Sequence, residues 1–263
     1  MTHAGVLYLS RADVEAARVP MRAIIERLEA VFREKGHGRT EMPPKPGIHP
    51  GPPGNDNFIH AMPAYIPLLG AAGVKWISGF PGNQSRGLPY ISGLLILNDA
   101  ATGLPAAIMD ATWITAMRTG AATAVAARHL ARKEAASFGV LGCGVQARTN
   151  LEAVAAVLPS LREVRAYDIH PERAAHYCEE MGRIYPTLRL APAATPREAF
   201  DGLTGRRRGR PSKASMSSSP PVQSWRDRTP PSGPSGSRRA RSVCRSTTTR
   251  TGDPRLWPPP TGS

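Results

Sequence analysis

Cysteine is scarce. The 263 residues hold three, Cys143, Cys178 and Cys244, and no two form a C-x-x-C pair. That spacing excludes a zinc finger and a disulfide framework and points to a reducing compartment. Long apolar runs are also missing: none approaches the roughly 20 residues needed to span a bilayer. The opening MTHAGVLYLSRADVEAARVP lacks the apolar stretch of a signal peptide. The expectation is a soluble, cytoplasmic chain with no membrane partner.

Acidic residues are nearly absent from one end. Residues 203–263 hold 13 Lys+Arg against 2 Asp+Glu, whereas residues 1–202 hold 21 against 18. The formal charge of +14 therefore belongs mostly to the tail and does not mark the body as a nucleic-acid binder. The tail also contains 12 Arg, 12 Ser and 10 Pro and few aliphatic residues. It cannot bury enough apolar surface to offset its ordering entropy, and disorder is expected there. The switch in composition follows DGLTG (201–205) abruptly, inside an α/β pattern. A GC-rich coding sequence read in a shifted frame yields this composition, so the tail reads as out of frame and the preceding domain as truncated. A competing reading takes Arg208-Gly209-Arg210-Pro211 as the core of an AT-hook, able to enter a narrow A·T minor groove.

The body opens with a short strand (6–10), followed by a capping-box signal in Ser10 and Asp13. A helix begins at Pro20, carries Met21, Ile24, Ile25, Leu28, Val31 and Phe32 at helical spacing, and stops at Gly36. Residues 37–57 read as one long loop. Loops of that length are often functional. Strands are expected over 58–66, 73–80, 91–97 and 104–109, the last two joined as a hairpin through Asn98–Gly103. A long Ala-rich helix covers 112–131. Strands at 137–141, 164–168 and 188–190 then alternate with helices at 146–158 and 171–185, the grammar of a parallel, doubly wound sheet.

The sharpest signal is FGVLGCGVQA at 138–147. A strand runs into Gly142-x-Gly144-x-x-Ala147 and a helix opens at once. The first Gly permits the tight turn, the second lets backbone approach a pyrophosphate, and the small third residue allows close helix–strand packing. The helix start offers free N–H groups to phosphate oxygens. Asp168, at the end of the second strand, can accept ribose hydroxyls and favours NAD. Arg173 could hold a 2′-phosphate, which leaves NADP open. Cys143, between the glycines, is expected to pack rather than react.

KWISGFP with Lys75, GLPYISGLLILNDAATGLPAAIMD, ITAMRTGAATA with Arg118, and GCGVQA together resemble the ornithine cyclodeaminase/μ-crystallin family over residues 5–202. The resemblance implies an α+β substrate and dimerisation domain (1–131), then a partial Rossmann NAD(P)-binding domain (132–202), with the basic tail (203–263) beyond. It further implies a homodimer and an oxidoreductase or ammonia-lyase of amino-acid metabolism, moving hydride at the α-carbon of an amino or imino acid. Carried over, Lys75 pairs with the substrate carboxylate and Arg118 sits between substrate and cofactor phosphate. Val145 and Gln146 lie on the pyrophosphate turn with Gly142 and Gly144, Asp168 on the ribose, and Tyr90 near the cofactor. Lys45 stands where many members place a carboxylate-binding Arg. By pattern alone, Lys75 also fits a solvated strand face and Arg118 a surface ion pair. Two departures stand out. His60 replaces the Glu of ornithine-specific members, either as a packed strand histidine or as a substrate-side group. The family's later apolar strand and its acid/base Asp have no counterpart, since Asp227 and Asp253 lie in Pro/Ser/Arg tracts. The catalytic acid is therefore unassigned, and activity of the chain as given stays open.

Overall fold

The computed structural model describes residues 5–200. The expected tail disorder, the AT-hook-like run, Asp227 and Asp253 lie outside the described residues.

The fold is mixed α/β with two sheets. The first holds β1 (Leu7–Leu9), β2 (Gly47–Ile48), β3 (Phe58–Ile66), β4 (Ala71–Gly79), β5 (Ile91–Asp99) and β6 (Pro105–Asp110), in the order β1-β6-β5-β4-β3-β2. Neighbours from β2 to β6 are antiparallel, and β1 joins β6 in parallel. The second sheet is parallel, β7 (Ser137–Leu141), β8 (Glu163–Tyr167) and β9 (Arg189–Pro192), in that order. Its helices are α4 (Val145–Val157) and α5 (Pro171–Ile184), which makes it a Rossmann-type β-α-β-α-β run.

Several sequence expectations shift, and most bounds move by one or two residues. The loop over 37–57 is interrupted, because Gly47 and Ile48 pair with His60 and Ile59, and Glu41 bridges to Tyr65. Two paired residues are too few to show a period of two. The helix expected from Pro20 is α2 (Met21–Gly36). Pro20 stays extended (φ −70°, ψ 145°) as its N-cap, where its missing N–H costs nothing. β4 starts two residues early, at Ala71. The capping box is formed: Ser10 Oγ accepts from the Asp13 N–H, and the Asp13 carboxylate accepts from the Ser10 N–H at 2.8 Å, opening α1 (Arg11–Ala16).

One core lies inside the parallel unit, where Leu151 and Val154 of α4 meet Val164 of β8 and Tyr177 and Met181 of α5. A second joins Met21 and Ile25 of α2 to Met117, Ala121 and Ala124 of α3 (Thr112–Leu130) and Ala153 of α4. Small residues bring α3 against α4. A Cβ on Gly120 would stand 2.4 Å from the Thr149 carbonyl oxygen, so only glycine fits that crossing. Helix α3 thereby connects the first sheet to the parallel unit.

Candidate functional site

The turn between β7 and α4 requires its first glycine, since Gly142 has φ 81°. The Gly142 N–H donates to the Tyr167 carbonyl at 2.8 Å, and the Cys143 N–H donates to Asp168 Oδ2 at 2.8 Å. Asp168 Oδ1 accepts from the His170 N–H at 3.0 Å. Asp168 thus braces the turn while sitting at the carboxyl end of β8. A Cβ placed on Gly144 would meet nothing within 4 Å, so the space above the turn is open. Among the described residues, the N–H groups of Gly144, Val145 and Gln146 have no acceptor. Val145 is exposed, and Gln146 Oε1 is buried without a partner. Free N–H groups at a helix start, an open approach and a carboxylate on the next strand fit a dinucleotide's diphosphate and ribose. Cys143 is buried and desolvation pushes its thiol up to about 12, so it packs.

A second cluster gathers on the first sheet. Lys75 lies on β4, opposite Met62 of β3 and Leu95 of β5, and points toward α3. Its ammonium donates to Thr115 Oγ1 at 3.3 Å. Burial first, then the charges of Arg118 and Lys45, bring its pKa down to about 8. Thr115 and Arg118 are three apart on α3 and share a face. Among the described residues, Lys45, Lys75 and Arg118 form no ion pair with any carboxylate. Three cations gathered without a counter-charge, one of them lowered by the other two and Arg118 lowered by its burial, offer a place for an anion.

His60 faces the same side of the sheet as Lys75, two strand positions from Met62, the register partner of Lys75. It stacks on Phe58 (4.5 Å, 22°) and meets His49 edge-on at 6.1 Å. Burial, then Lys45, then His49, hold its pKa below the usual histidine range. Tyr90 precedes β5, is partly exposed, and accepts the Phe80 N–H on its carbonyl at 2.9 Å. Among the described residues, no hydrogen bond ties it to the glycine turn. Sequence reasoning passed over Thr115, the hydroxyl that orients Lys75. It lies 40 residues from Lys75, and no local pattern links the two. Among the described residues, no group of three His, Cys, Asp or Glu could hold a metal, and no helix is long and apolar enough to cross a membrane.

A glycine turn opening a helix beside a three-stranded parallel sheet, with a separate mixed sheet that carries a cluster of cations, defines a two-sheet protein of the Rossmann class. Its sequence matches the profile of the ornithine cyclodeaminase/mu-crystallin family over residues 6–203, and the chain belongs to that family. It is 41% identical over 179 residues to an alanine dehydrogenase of Archaeoglobus fulgidus, covering 67% of this chain and 53% of that one. It is 43% identical over 157 residues to the nodulation efficiency protein NfeD of Rhizobium meliloti, covering 60% and 48%. Among solved structures, the Thermococcus litoralis Δ1-pyrroline-2-carboxylate reductase in complex with NADH and L-proline superposes with TM-score 0.70 and 38% identity, covering 75% and 59%. An archaeal alanine dehydrogenase dimer with bound NAD superposes at 0.66 and 37%, covering 74% and 57%. The chain spans about half the length of the relatives it matches.

Proposed function

We propose that this chain binds NAD and an α-amino or α-imino acid, as part of a dehydrogenase or reductase of its family. The observation that carries the reading is the uncompensated trio Lys45, Lys75 and Arg118, joined through α3 to a turn with free N–H groups. NAD, when bound, accepts hydride from the substrate's α-carbon, and NADH returns it. The chain's own residues do the rest. Lys75, fixed by Thr115, and Lys45 hold the substrate carboxylate. Arg118, on the helix that packs against α4, lies between that carboxylate and the cofactor phosphates. Fixed cations on the carboxylate hold the α-carbon in one orientation, the main requirement of hydride transfer. Asp168 accepts ribose hydroxyls, and its charge repels a 2′-phosphate, so NAD is the preferred form.

The neighbourhood of His60 narrows the substrate. Phe58, His49 and Lys45 surround it, and its lowered pKa keeps it neutral. Among the described residues, the charged groups acting on it are Lys45 and His49 and include no carboxylate to neutralise a second ammonium, so a neutral or acidic side chain fits and a diamino acid does not. Among the relatives' names, alanine and proline fall in this range and the lysine of a lysine cyclodeaminase falls outside it, so the His60 neighbourhood is what carries the distinction. Residues 1–131 form the substrate and dimerisation part, and 132–202 the nucleotide part. The dimer forms through the outer face of the first sheet, where Trp76 and its register partner Leu94 are half exposed, along with Tyr8, Ile48 and Tyr65. An apolar face of that extent signals an interface.

Titration of NADH fluorescence on the full chain tests the cofactor part. Asp168→Ala is expected to weaken binding about 10–100-fold, the worth of hydrogen bonds to a charged group. Gly144→Ala is expected to weaken it while leaving the melting temperature unchanged, because its Cβ enters only open space. Titrations that match the parent for both variants would overturn the reading.

A further inference from the structure

Arg148 occupies the fourth helical position of α4, close to the positive end of the helix dipole, where a cation is unfavourable unless something holds it. All three of its nitrogens are engaged. Nη1 donates to the carbonyls of Cys143 at 2.8 Å and Gly144 at 3.1 Å. Nε donates to both Glu180 oxygens at 3.0 Å, and Nη2 also reaches that carboxylate. Glu180 belongs to α5, 32 residues away. The guanidinium lies 5.7 Å over the Tyr177 ring, and the Tyr177 hydroxyl donates to the Ala147 carbonyl at 3.3 Å. His176 stands 3.8 Å from the same carboxylate.

A peptide unit is planar and trans, so its C=O and N–H point in opposite directions. Fixing the Cys143 carbonyl therefore fixes the Gly144 N–H, and fixing the Gly144 carbonyl fixes the Val145 N–H. These are two of the three N–H groups that have no acceptor among the described residues. A carbonyl turned the other way would place a negative dipole end where a phosphate is to bind. Arg148 removes that alternative for the Cys143 peptide, and at the Gly144 peptide it adds to the hold of the Ala147 N–H, which donates to the same carbonyl at 3.1 Å.

We infer that Arg148, locked by Glu180 of α5, is a positioning residue that orients the Gly144 and Val145 N–H groups for the cofactor's diphosphate. The inference rests on the dinucleotide reading above. The fork geometry is essential, because a lysine ammonium is a point charge and cannot serve two carbonyls and a carboxylate together. Replacing both partners by apolar residues keeps the α4–α5 contact, and such exchanges of a half-buried pair are often neutral for folding.

The test measures NADH and ADP affinity, and the melting temperature, for the full chain and for Arg148→Lys, Glu180→Gln and the double variant Arg148→Met/Glu180→Met. The expected result is an affinity loss of about tenfold or more for both ligands in Arg148→Lys and in the double variant. Glu180→Gln should lose less. The double variant should melt within a few degrees of the parent. Parental affinity in Arg148→Lys would overturn the positioning role. So would a double variant whose affinity falls only in step with its melting temperature. A parent chain that binds neither NADH nor ADP would instead remove the dinucleotide reading on which the inference depends.

Discussion

The two sheets differ in how far each completes itself. In the parallel unit, Val140, Leu151, Val154, Val164, Tyr177 and Met181 close a core between β7–β9 and their helices, and the glycine turn is braced by Asp168. The six-stranded sheet is the opposite case. Of the hydrophobic side chains on its strands only Ile77 and Ala107 are fully buried, while Trp76 and Leu94 stand half exposed on one face. On the other face, three cations have no counter-charge among the described residues. One region closes its own core, and the other leaves cations on its inner face and apolar side chains on its outer face, the places proposed above for an anion and a second copy. Apolar burial and hydrogen-bond satisfaction thus separate a preformed glycine-turn platform from a surface with apolar area and charge left unsatisfied.

The comparison breaks first at Tyr177, which is fully buried and reaches Ala147. Tyr177→Ala should cost about 3–5 kcal/mol, as large-to-small changes of buried aromatics do. If the parallel unit is self-contained, native-state hydrogen exchange will show that loss in β7, β8 and α5 while β3–β5 keep their protection. An equal loss in both sheets would mean one cooperative unit. A smaller effect is expected at the outer face. Trp76→Asp with Leu94→Asp places two charges on adjacent strands, and light scattering should show a dimer converted to a monomer that still binds NADH. Retention of the dimer would move the interface elsewhere.

How far the sequence carried the fold follows the range of each signal. β3 (58–66) and β7 (137–141) match their expected bounds because alternation and turn residues mark both ends. The glycine turn was equally plain, since strand, Gly-x-Gly and helix lie within ten residues. The pairing of β1 with β6, by contrast, joins residues about 100 apart, and β2 consists of two residues with no pattern of its own. The site divides the same way. Lys75, Arg118 and Asp168 were visible as residue types in motifs. The Thr115 hydroxyl on Lys75 and the Glu180 carboxylate behind Arg148 arise only when distant segments pack, so nothing local could announce them. Lys45 and His60 were visible as positions, but the lowering of the His60 pKa by burial and by Lys45 is a property of the folded sheet.

The finest test of the inner face is its pH dependence. Lys75 holds a proton with a pKa of about 8, against 10.5 for an ordinary lysine, because burial and the charges of Arg118 and Lys45 disfavour the cation. The protonated form is the one that binds a carboxylate. Affinity for a simple carboxylate such as L-proline should therefore be highest below pH 8 and fall as pH rises through that value. Folding stability should move the other way. Between about pH 8 and 10.5 the unfolded chain still binds the proton that the folded chain has released, so the Lys75 contribution makes stability rise with pH across that window. Lys75→Met removes both trends. It should also weaken carboxylate binding about 10–100-fold at pH 7, the range for losing a charged hydrogen-bond partner. Calorimetric titration at pH 6.5, 8 and 9.5 checks the slope. A flat profile in the parent chain, with affinity unchanged in Lys75→Met, would leave Lys45 and Arg118 to bind the anion alone and would reduce Lys75 to a buried strand residue held by Thr115.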